Sequence, residues 1–336
     1  MSEGRRPLLR IEHLQVDLPV AQEMRRVIHD VSLTVAPGEV LGIVGESGSG
    51  KSMTARAVMS LLPDGARVEG RLDFDGRPVA ELDVKDLRRY RADDVAMIYQ
   101  DPRAHMNPLR TIGSFLLEGP LERTKAKADA VARVVKTLKE VGIDDAERRL
   151  HQYPHQLSGG LLQRVMIAAA LVAEPRLILA DEPTTALDVT TQQEVIAILA
   201  EQCRDRELAM VLITHDLDLA AAVADRIAVM YAGVIVEDAP AESLYGGPRH
   251  PYTAGLLASR PHLDRAARLQ TIPGRPVSAY EAGPGCVFAS RCPFVEEEAK
   301  VVRPRPRELD GHIVACHRAE DLREELRTRS EEATSA

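Results

Sequence analysis

Apolar positions change their spacing twice along the chain. In residues 8–101 short β-branched runs alternate with Gly and Pro, a pattern that predicts strands and turns. Residues 102–174 show the three-to-four spacing of helices. In residues 177–237 strand-like and helix-like runs alternate, which predicts a mostly parallel sheet with helices on its faces. Beyond about residue 239 Pro and Gly become frequent and the periodicity fades.

Four segments are regular enough to predict individual elements. Residues 40–44 form an apolar strand that runs into a Gly-rich turn, and residues 52–62 are typical of a helix. Residues 68–74 form a strand that ends at the hairpin-type turn Asp75-Gly76. Residues 126–141 carry apolar side chains on one helical face, which predicts an amphipathic core helix.

Composition limits the function. The chain has 336 residues and a net charge of −8, which is enough length for two domains and the wrong sign for most nucleic-acid binders. The N-terminus lacks the apolar segment of a signal peptide, and the most apolar stretch, residues 165–173, is about half the ~20 residues that a membrane-spanning helix needs. We therefore expect a cytosolic protein with no nucleic-acid partner, which reaches a membrane only through other subunits.

Residues 45–52 read Gly-Glu-Ser-Gly-Ser-Gly-Lys-Ser and fit the pattern G-x-x-x-x-G-K-[ST]. The glycines allow backbone N–H groups to converge on phosphate oxygens, and the following helix directs its positive end toward them. Lys51 would reach the β- and γ-phosphates of ATP, and the hydroxyl of Ser52 would bind Mg²⁺. A Gly-rich turn without a ligand is the simpler alternative, but this match follows a predicted strand and opens a predicted helix. The predicted nucleotide-binding residues are Gly45, Glu46, Ser47, Gly48, Ser49, Gly50, Lys51 and Ser52.

Residues 176–182, Arg-Leu-Ile-Leu-Ala-Asp-Glu, form an apolar strand that ends in two acids. Such a strand delivers its last side chains to the carboxyl edge of the sheet, where ligands of open α/β sheets bind. Asp181 can hold Mg²⁺ there through water, and Glu182 can accept a proton from the attacking water. Taken alone, an acidic turn before Pro183 is the simpler interpretation. Combined with the phosphate loop, the pair predicts the catalytic end of a nucleotide hydrolase.

The tetrapeptide Leu157-Ser158-Gly159-Gly160 precedes a helical run, so that its serine and glycines stand where a helix N-terminus can meet an anion. Four residues alone are weak evidence. Their place after the phosphate loop and before the Asp181-Glu182 strand, however, resembles the signature motif of ABC ATPases. The resemblance implies that Ser158, Gly159 and Gly160 act on the γ-phosphate of an ATP molecule held by a partner subunit.

Three further elements of that family follow in order. Gln100, after the strand of residues 95–99, resembles the glutamine that contacts Mg²⁺ and senses the permease. Ala186-Leu187-Asp188 resembles the D-loop. His215, after the strand of residues 210–214, resembles the switch histidine that contacts the γ-phosphate. A lone histidine at a strand end is usually structural, but this order of motifs favours a catalytic role beside Lys51 and Glu182.

Several stretches narrow the resemblance to the ATP-binding subunits of dipeptide, oligopeptide and nickel importers. They are Tyr99-Gln100-Asp101-Pro102, Met106-Asn107-Pro108, Gln163-Arg164-Val165-Met166-Ile167-Ala168, Asp188-Val189-Thr190, His250-Pro251-Tyr252-Thr253, Ile272-Pro273-Gly274, Gly285-Cys286 and Arg291-Cys292-Pro293. Together they extend the resemblance from about Leu8 to Cys316, nearly the whole chain.

The resemblance implies an α/β fold, that of an ABC-type P-loop NTPase. Its parts are a RecA-like core, an antiparallel β subdomain, a helical subdomain and a small C-terminal extension of the oligopeptide-importer type. The expected boundaries are residues 8–240 for the ATPase domain, with the helical subdomain at about 102–174, residues 241–320 for the extension, and residues 321–336 for a polar tail that forms a frayed helix.

The implied function is hydrolysis of ATP, with Mg²⁺, coupled to uptake of a dipeptide, oligopeptide or similar solute at the cytoplasmic face of the cell membrane. The implied partners are a second ABC ATPase subunit, identical or homologous, two integral-membrane permease subunits and, through the complex, an extracytoplasmic solute-binding protein. Competing functions are a soluble ABC ATPase of translation or DNA repair, an exporter subunit, and an importer of nickel or another non-peptide solute. The soluble class usually carries coiled coils or DNA-binding insertions that this sequence does not show, and the tail motif at residues 250–253 disfavours an exporter.

The C-terminal cysteines depart from the family pattern. Some relatives carry a four-cysteine iron–sulfur site in this tail, and Cys286, Cys292 and Cys316 match three of its positions. The expected third cysteine falls at Ala299. Iron–sulfur clusters generally take four thiolates, although another ligand such as His317 can substitute. The sequence is therefore compatible both with a cluster that has a substitute ligand and with reduced, partly buried thiols.

We predict weak discrimination between ATP and GTP. Many ABC ATPases stack adenine on an aromatic residue upstream of the phosphate loop, whereas this chain has Leu18 there, with Val27 as another apolar candidate. Aromatic stacking contributes about 1–3 kcal/mol per base in other systems, and an aliphatic face lacks it. Equilibrium titrations with ATP and GTP test this expectation, and a strong preference for ATP would contradict it.

Overall fold

The computed structural model describes residues 6–21, 23–123, 126–185, 187–260 and 271–335. The chain divides into two compact units. Unit 1 consists of Met1–Val35, Val40–Ala80 and Thr214–Ala336, and unit 2 consists of Ala36–Glu39 and Glu81–Ile213. Within the described ranges, no helix is long and apolar enough to cross a membrane.

In chain order the strands are β1 (Leu9–Val20), β2 (Glu23–Val35), β3 (Val40–Val44), β4 (Arg67–Phe74), β5 (Arg77–Pro78), β6 (Val95–Ile98), β7 (Leu177–Asp181), β8 (Ala209–Thr214), β9 (Arg226–Tyr231), β10 (Val234–Pro240), β11 (Arg307–Leu309) and β12 (His312–Val314). The helices are α1 (Lys51–Val58), α2 (Val84–Arg89), α3 (Pro102–His105), α4 (Ile112–Arg123), α5 (Lys127–Glu140), α6 (Ala146–Arg149), α7 (Gly159–Val172), α8 (Val189–Asp205), α9 (Leu217–Ala221), α10 (Ala241–Gly246), α11 (Pro251–Ala258), α12 (Glu297–Val301) and α13 (Arg323–Ser335).

The sheet of unit 1 has the strand order β5-β4-β1-β2-β10-β9-β3. Pairing is antiparallel among β1, β2, β4 and β5, which confirms the expected antiparallel β subdomain. It is parallel between β2 and β10 and between β3 and β9. Strand β12 adds to β10, and β11 adds to β12. Every residue of β3 is buried, so the phosphate loop that follows it starts from the core.

A one-residue irregularity keeps the apolar side of β1 on the core. Leu9 and Ile11 are buried at alternate positions, and Leu14 is buried after a shift of one residue. His13 absorbs that shift with a φ of 50°, in the left-handed region. Opposite the shift, a Cβ on Gly70 would lie 2.3 Å from the carbonyl oxygen of His13. Glycine is therefore required where β4 crosses this point.

The predicted strand of residues 40–44 and the predicted hairpin are both confirmed. Phe74 of β4 pairs with Arg77 of β5 across the turn. Asp75 and Gly76 have φ values of 48° and 72°, the pair of left-handed residues that a two-residue hairpin turn needs.

The helix predicted for residues 52–62 is shorter than expected, because α1 ends at Val58. Ser60 takes a φ of 52°, and its N–H donates to the carbonyl of Ala57 at 2.9 Å. The N–H of Leu61 donates to the carbonyl of Arg56 at 2.8 Å. These two bonds form a left-handed helix cap, which closes the helix four residues before the predicted end.

In unit 2, β6, β7 and β8 run parallel with β7 in the middle. Every residue of β7 and β8 is buried, as apolar runs without alternation predict. The elements that the structure describes between β6 and β7 are helical, in agreement with the expected helical subdomain. Helix α5 buries Ala130, Val134 and Leu138, so the predicted amphipathic helix is confirmed.

Glu237 on β10 fixes the start of the C-terminal extension. Its carboxylate is fully buried, where Oε1 accepts the backbone N–H of Arg249 at 2.7 Å and Oε2 accepts that of His250 at 3.0 Å. Oε1 also lies 2.8 Å from Nδ1 of His312 on β12. A buried carboxylate strongly destabilises a fold unless donors surround it. These donors therefore hold two segments of the extension against β10.

The tail expected at residues 321–336 is helical, but the expectation that it is frayed was wrong for its first turns. Leu322 and Leu326 are buried and form a cluster with Ala254 of α11. Phe294 packs against the same cluster. Leu322, just before α13, and Leu326, within it, lie four positions apart and together dock the start of this otherwise charged helix on α11.

The ring of His250 is buried and caps α11, because its Nδ1 accepts the backbone N–H of Tyr252 at 3.0 Å. Burial disfavours the imidazolium and lowers the pKa of His250 to about 4, although the charge of Glu237 acts in the opposite direction. The neutral ring is also the form that can accept the capping bond.

We predict that His250 makes the fold less stable as the pH falls. The unfolded chain takes up this proton near pH 6.5 and the folded chain only near pH 4, so the free energy of unfolding decreases between these values by up to roughly 3 kcal/mol. The matched variant is His250→Asn, whose side-chain oxygen can cap α11 but does not titrate. Urea unfolding from neutral to acid pH should show a steeper loss for the wild type. Parallel curves for the two proteins would contradict the prediction.

Candidate functional site

The phosphate loop lies in unit 1 between β3 and α1, as predicted. Its backbone is left-handed at Gly48 and Gly50, with φ values of 78° and 104°. A Cβ on Gly45 would lie 2.0 Å from the carbonyl oxygen of Met230 on β9. On Gly50 it would lie 3.0 Å from the carbonyl oxygen of Val27 on β2. Glycine at both positions allows the loop to lie directly against two strands.

Two buried side chains of the loop suit an anionic ligand. Nζ of Lys51 donates to the carbonyl oxygens of Gly45 and Glu46, at 2.7 Å and 3.0 Å. Ser49 is also buried, and its Oγ has no hydrogen-bond partner among the residues that the structure describes. Helix α1 begins at Lys51, so its first N–H groups lack intrahelical partners. An ammonium, an unsatisfied hydroxyl and a helix N-terminus together fit a phosphate group.

The two residues expected beside the adenine base of the nucleotide, Leu18 and Val27, differ in their distance from the phosphate loop. Leu18 on β1 pairs with Arg25 toward the tip of the β1–β2 hairpin. Val27 on β2 contacts the loop through its carbonyl group, which faces Gly50. Both side chains are half-buried. Val27 is therefore the nearer of the two candidates for an apolar face beside the nucleotide.

The C-terminal extension contacts the phosphate loop, a feature that the sequence did not predict. Nη1 and Nη2 of Arg291 donate to the two carboxylate oxygens of Glu46, at 2.6 Å and 3.1 Å. The N–H of Glu46 donates to the hydroxyl of Tyr252 at 3.0 Å, and the N–H of Ala279 donates to the carbonyl of Gly48 at 3.2 Å. Both Tyr252 and Arg291 lie in stretches that carry the importer resemblance. That was the available signal, since no local pattern predicts contacts across 206 and 245 positions.

In unit 2, Asp181 and Glu182 stand at the carboxyl end of β7, as predicted. Asp181 is buried and Glu182 is half-buried. Nε2 of Gln100 donates to Oε2 of Glu182 at 2.9 Å, and Oγ1 of Thr185 donates to the same oxygen at 2.9 Å. Gln100 reaches Glu182 across 82 positions because β6 and β7 are parallel neighbours whose carboxyl ends share one edge. The structure thus brings two predicted site residues, Gln100 and Glu182, into contact, and Thr185, which the sequence did not indicate, also bonds Glu182.

Glu182 has a strained backbone. Its φ of 46° lies in the left-handed region, which costs a non-glycine residue of the order of 1–3 kcal/mol. Its N–H donates to the carbonyl oxygen of Ile213 on β8 at 2.9 Å, which helps to maintain this conformation. A strained backbone and two side-chain donors fix the direction of one carboxylate, which is the property that a general base requires.

The predicted signature residues form the exposed N-terminus of α7. Ser158 is the N-cap, and its Oγ accepts the N–H of Leu161 at 3.4 Å. Ser158 and Gly159 are exposed, and Gly160 is half-buried. A Cβ on Gly160 would lie 2.8 Å from Cγ2 of Thr191 in α8, so glycine allows the two helices to begin side by side. This helix end can meet an anion that approaches from outside the chain.

The remaining motif residues flank helix starts. Ala186 of the D-loop lies outside the described residues, whereas Asp188 caps α8 by accepting the N–H of Thr191 at 3.0 Å. His215 is exposed and follows β8. The next residue, Asp216, caps α9, and its own N–H donates to Oγ1 of Thr214 at 3.0 Å. A tight turn therefore sets the position of His215.

The C-terminal cysteines share one cavity in unit 1. Cys286, Cys292 and Cys316 line it together with Ala299 and His317. Burial raises the pKa of all three thiols, that of Cys316 to about 12. The N–H of Cys286 donates to the carbonyl of Ala299 at 2.7 Å, so Ala299 stands beside Cys286 and presents a methyl group. Nε2 of His317 bonds a backbone carbonyl at 3.0 Å.

Two family models match the chain. The model described as "ABC transporter" matches residues 28–185, which include the phosphate loop, the signature residues and the Asp181-Glu182 pair. The model described as "Oligopeptide/dipeptide transporter, C-terminal region" matches residues 236–298, which include Glu237, Tyr252 and Arg291. The second model covers the segment that contacts the phosphate loop.

Known proteins resemble the chain over most of its length. It is 41% identical to the oligopeptide transport ATP-binding protein OppD of Salmonella typhimurium, over 92% of this chain and 93% of that protein. It is 42% identical to the dipeptide transport ATP-binding protein DppD of Bacillus subtilis, over 92% of this chain and 94% of that protein. Among solved structures, the dimeric ATP-binding cassette MJ0796 bound to ADP and phosphate matches with a TM-score of 0.62 and 27% identity, over 69% of this chain and 98% of that one. The chain therefore belongs to the ABC transporter family, among the ATP-binding subunits of oligopeptide and dipeptide transport systems.

Proposed function

We propose that this chain binds and hydrolyses ATP as the energising subunit of a peptide importer, with Glu182 as the general base. The observation that supports this assignment best is the pair of donors, Gln100 and Thr185, on one oxygen of Glu182. A carboxylate held in this way, at the end of a buried strand, can accept a proton from water in a fixed direction.

The phosphate loop would bind the phosphates of ATP. Lys51 would exchange its bonds to the loop carbonyls for phosphate oxygens, and the buried hydroxyl of Ser49 would gain a partner. Lys51 would also stabilise the charge that develops on the transferred group. His215, exposed after β8, would contact the γ-phosphate.

Ser52, Gln100 and Asp181 would hold Mg²⁺, because a hydroxyl, an amide oxygen and a carboxylate are hard oxygen ligands of the kind that Mg²⁺ takes. When bound, Mg²⁺ neutralises charge on the phosphate oxygens. Asp181 is buried at the end of β7, where it would hold the ion through water.

The exposed signature helix end would act on ATP held by a second ABC ATPase subunit. The dimeric form of the MJ0796 cassette supports that arrangement. We infer that the isolated chain hydrolyses ATP poorly.

We further assign the chain to the cytoplasmic face of the inner membrane, beside two permease subunits, with peptides delivered by an extracytoplasmic solute-binding protein. The peptide transport named for OppD and DppD supports this cargo over nickel.

A non-transport role and an export role both have less support than peptide import. A soluble ABC ATPase of translation or DNA repair, or an exporter subunit, would not be expected to match a C-terminal region of peptide transporters over residues 236–298. Co-purification with membrane subunits separates these functions, because a protein that instead follows ribosomes or DNA is not an import ATPase.

We predict that Glu182→Gln retains ATP binding and loses turnover. The amide keeps the shape of the side chain but cannot accept the proton, and general-base catalysis typically contributes about 10²–10⁴-fold. ATP hydrolysis is measured in the assembled transporter and ATP affinity on the purified chain. The matched control is Glu201→Gln, the same change at an exposed position of α8, which should leave both quantities unchanged. Near-normal hydrolysis in Glu182→Gln would show that another group is the base.

We propose that the three C-terminal cysteines remain thiols. The donor set does not fit a four-thiolate cluster, because Ala299 supplies a methyl group where a fourth thiol is needed. In the part of the chain that the structure describes, no three His, Cys, Asp or Glu side chains come together in a group that could hold a metal ion.

Anaerobically purified protein should accordingly contain little iron and show no absorbance in the visible blue. Ala299→Cys is the matched variant, since it restores the fourth thiol at the cavity wall. Iron analysis and absorbance spectra of both proteins test the proposal. A stoichiometric amount of iron in the wild type would overturn it.

A further inference from the structure

The ion pair between Glu46 and Arg291 has the geometry of a positioning contact. The guanidinium is almost fully buried, with 4% of its side chain exposed, and meets the carboxylate with two parallel bonds. Burial disfavours its charge, but bonds to Glu46 and to the hydroxyl of Tyr231 outweigh that effect and raise the pKa of Arg291. A planar, two-pronged pair fixes both the place and the orientation of the carboxylate.

Arg291 is also held by contacts outside the loop. Its Nε donates to the carbonyl oxygen of Pro273 at 2.8 Å. Its guanidinium lies 5.8 Å and 6.0 Å from the ring centres of Tyr231 and Phe288. Tyr231, Tyr252 and Phe288 in turn form one buried aromatic cluster, with centroid distances of 4.6–5.4 Å. Movement of Arg291 would disrupt this packing, so the residue is a rigid support.

Two further residues of the extension bond the backbone of the loop. Tyr252 accepts the N–H of Glu46, and Ala279 donates its N–H to the carbonyl of Gly48. Ala279 is held in place because Nε2 of His29 bonds its carbonyl oxygen at 2.6 Å. Gly48 lies in the left-handed region, where the chain has little local preference of its own for one shape. Contacts from the extension therefore restrict the shape of the phosphate loop, together with the bonds that Lys51 and Gly233 make to it.

We propose that Arg291 is a positioning residue for ATP binding, which acts through Glu46 to hold the phosphate loop in its binding conformation. The inference rests on the proposed role of the loop as the phosphate site. It goes beyond that role because it makes nucleotide affinity depend on a residue of the C-terminal extension. Preorganised N–H groups bind an anion without the entropic cost of ordering the loop, and loss of the contact removes that preorganisation.

Four variants of the full chain test the proposal, with equilibrium titration of Mg²⁺–ADP as the readout. Glu46→Gln keeps the shape of the side chain and loses its charge. Arg291→Met keeps much of the side-chain volume and loses the guanidinium group that bonds both oxygens of Glu46. Each should raise the Kd for ADP by about tenfold, within the usual range of coupling between sites. The double variant should be no worse than the poorer single variant, because the pair acts as a unit. Arg291→Lys, which can still pair with Glu46, should recover part of the affinity.

A purely structural role predicts a different result. It would reduce the folded fraction and the thermal midpoint, but the folded molecules would bind ADP with unchanged Kd. Glu46 is partly exposed, so Glu46→Gln remains informative if Arg291→Met does not fold. The matched control is Glu320→Gln, which removes the charge from another Arg–Glu pair of the extension, that with Arg307, and should leave the Kd unchanged.

Lys51→Ala separates the inference from the proposed site. If Lys51→Ala abolishes ADP binding while Glu46→Gln and Arg291→Met stay within twofold of the wild type, the inference about Arg291 is overturned and the site stands. If Lys51→Ala binds ADP as well as the wild type, the loop is not the phosphate site and both are overturned. Additive losses in the double variant would also overturn the inference.

Discussion

The buried carboxylate of Glu237 is the constraint on which the arrangement of unit 1 depends. Its side chain is fully buried, and among the residues that the structure describes its donors come from two other segments, the turn at residues 249–250 and strand β12. Removing one of these donors would leave a charge in the core. The extension must therefore adopt one position against β10, and α11 starts at that position with the ring of His250 as its cap. Tyr252, two residues after His250, reaches the phosphate loop from this position.

The phosphate loop illustrates why such a placement matters. Gly45 and Gly50 allow the loop to approach neighbouring strands closely. Because glycine has many accessible backbone conformations, these residues by themselves favour no single conformation of the loop. Arg291, Tyr252 and Ala279 restrict it from outside. A glycine-rich segment loses much conformational entropy when it orders around a ligand, and contacts made before binding reduce that loss. Contacts from the extension thus restrict the loop before any ligand binds.

The carboxyl end of β7 in unit 2 is fixed in a different way. Glu182 combines a left-handed backbone with two donors on one carboxylate oxygen, so its direction is set by β8 on one side and by Gln100 on the other. Strain at a residue of this kind persists only where the surrounding structure determines it from several sides. Gln100 is also the residue that the family resemblance connects with the permease. Its bond to Glu182 gives that connection a physical path to the proposed base.

The sequence by itself determined the motifs, the fold class and the family, because each depends on short-range patterns. Apolar runs, glycine spacing and strand-end acids are visible in short stretches of sequence, and they placed Lys51, Glu182 and Ser158 at the ends of the correct elements. The family resemblance grouped three cysteines with Ala299, and in the structure these four residues line one cavity. It did not reveal the early end of α1, since a left-handed serine leaves no distinct local signal.

Only the tertiary structure decided which distant residues meet. The Gln100–Glu182 bond depends on the parallel pairing of β6 and β7, and the Glu46–Arg291 pair joins the phosphate loop to the C-terminal extension. In the same way, Leu326 of the tail packs against Ala254 of α11, a contact that the polar sequence of the tail did not predict. Hydrogen bonds act over about 3 Å, whereas these partners lie 82 and 245 positions apart along the chain, so no local pattern encodes them.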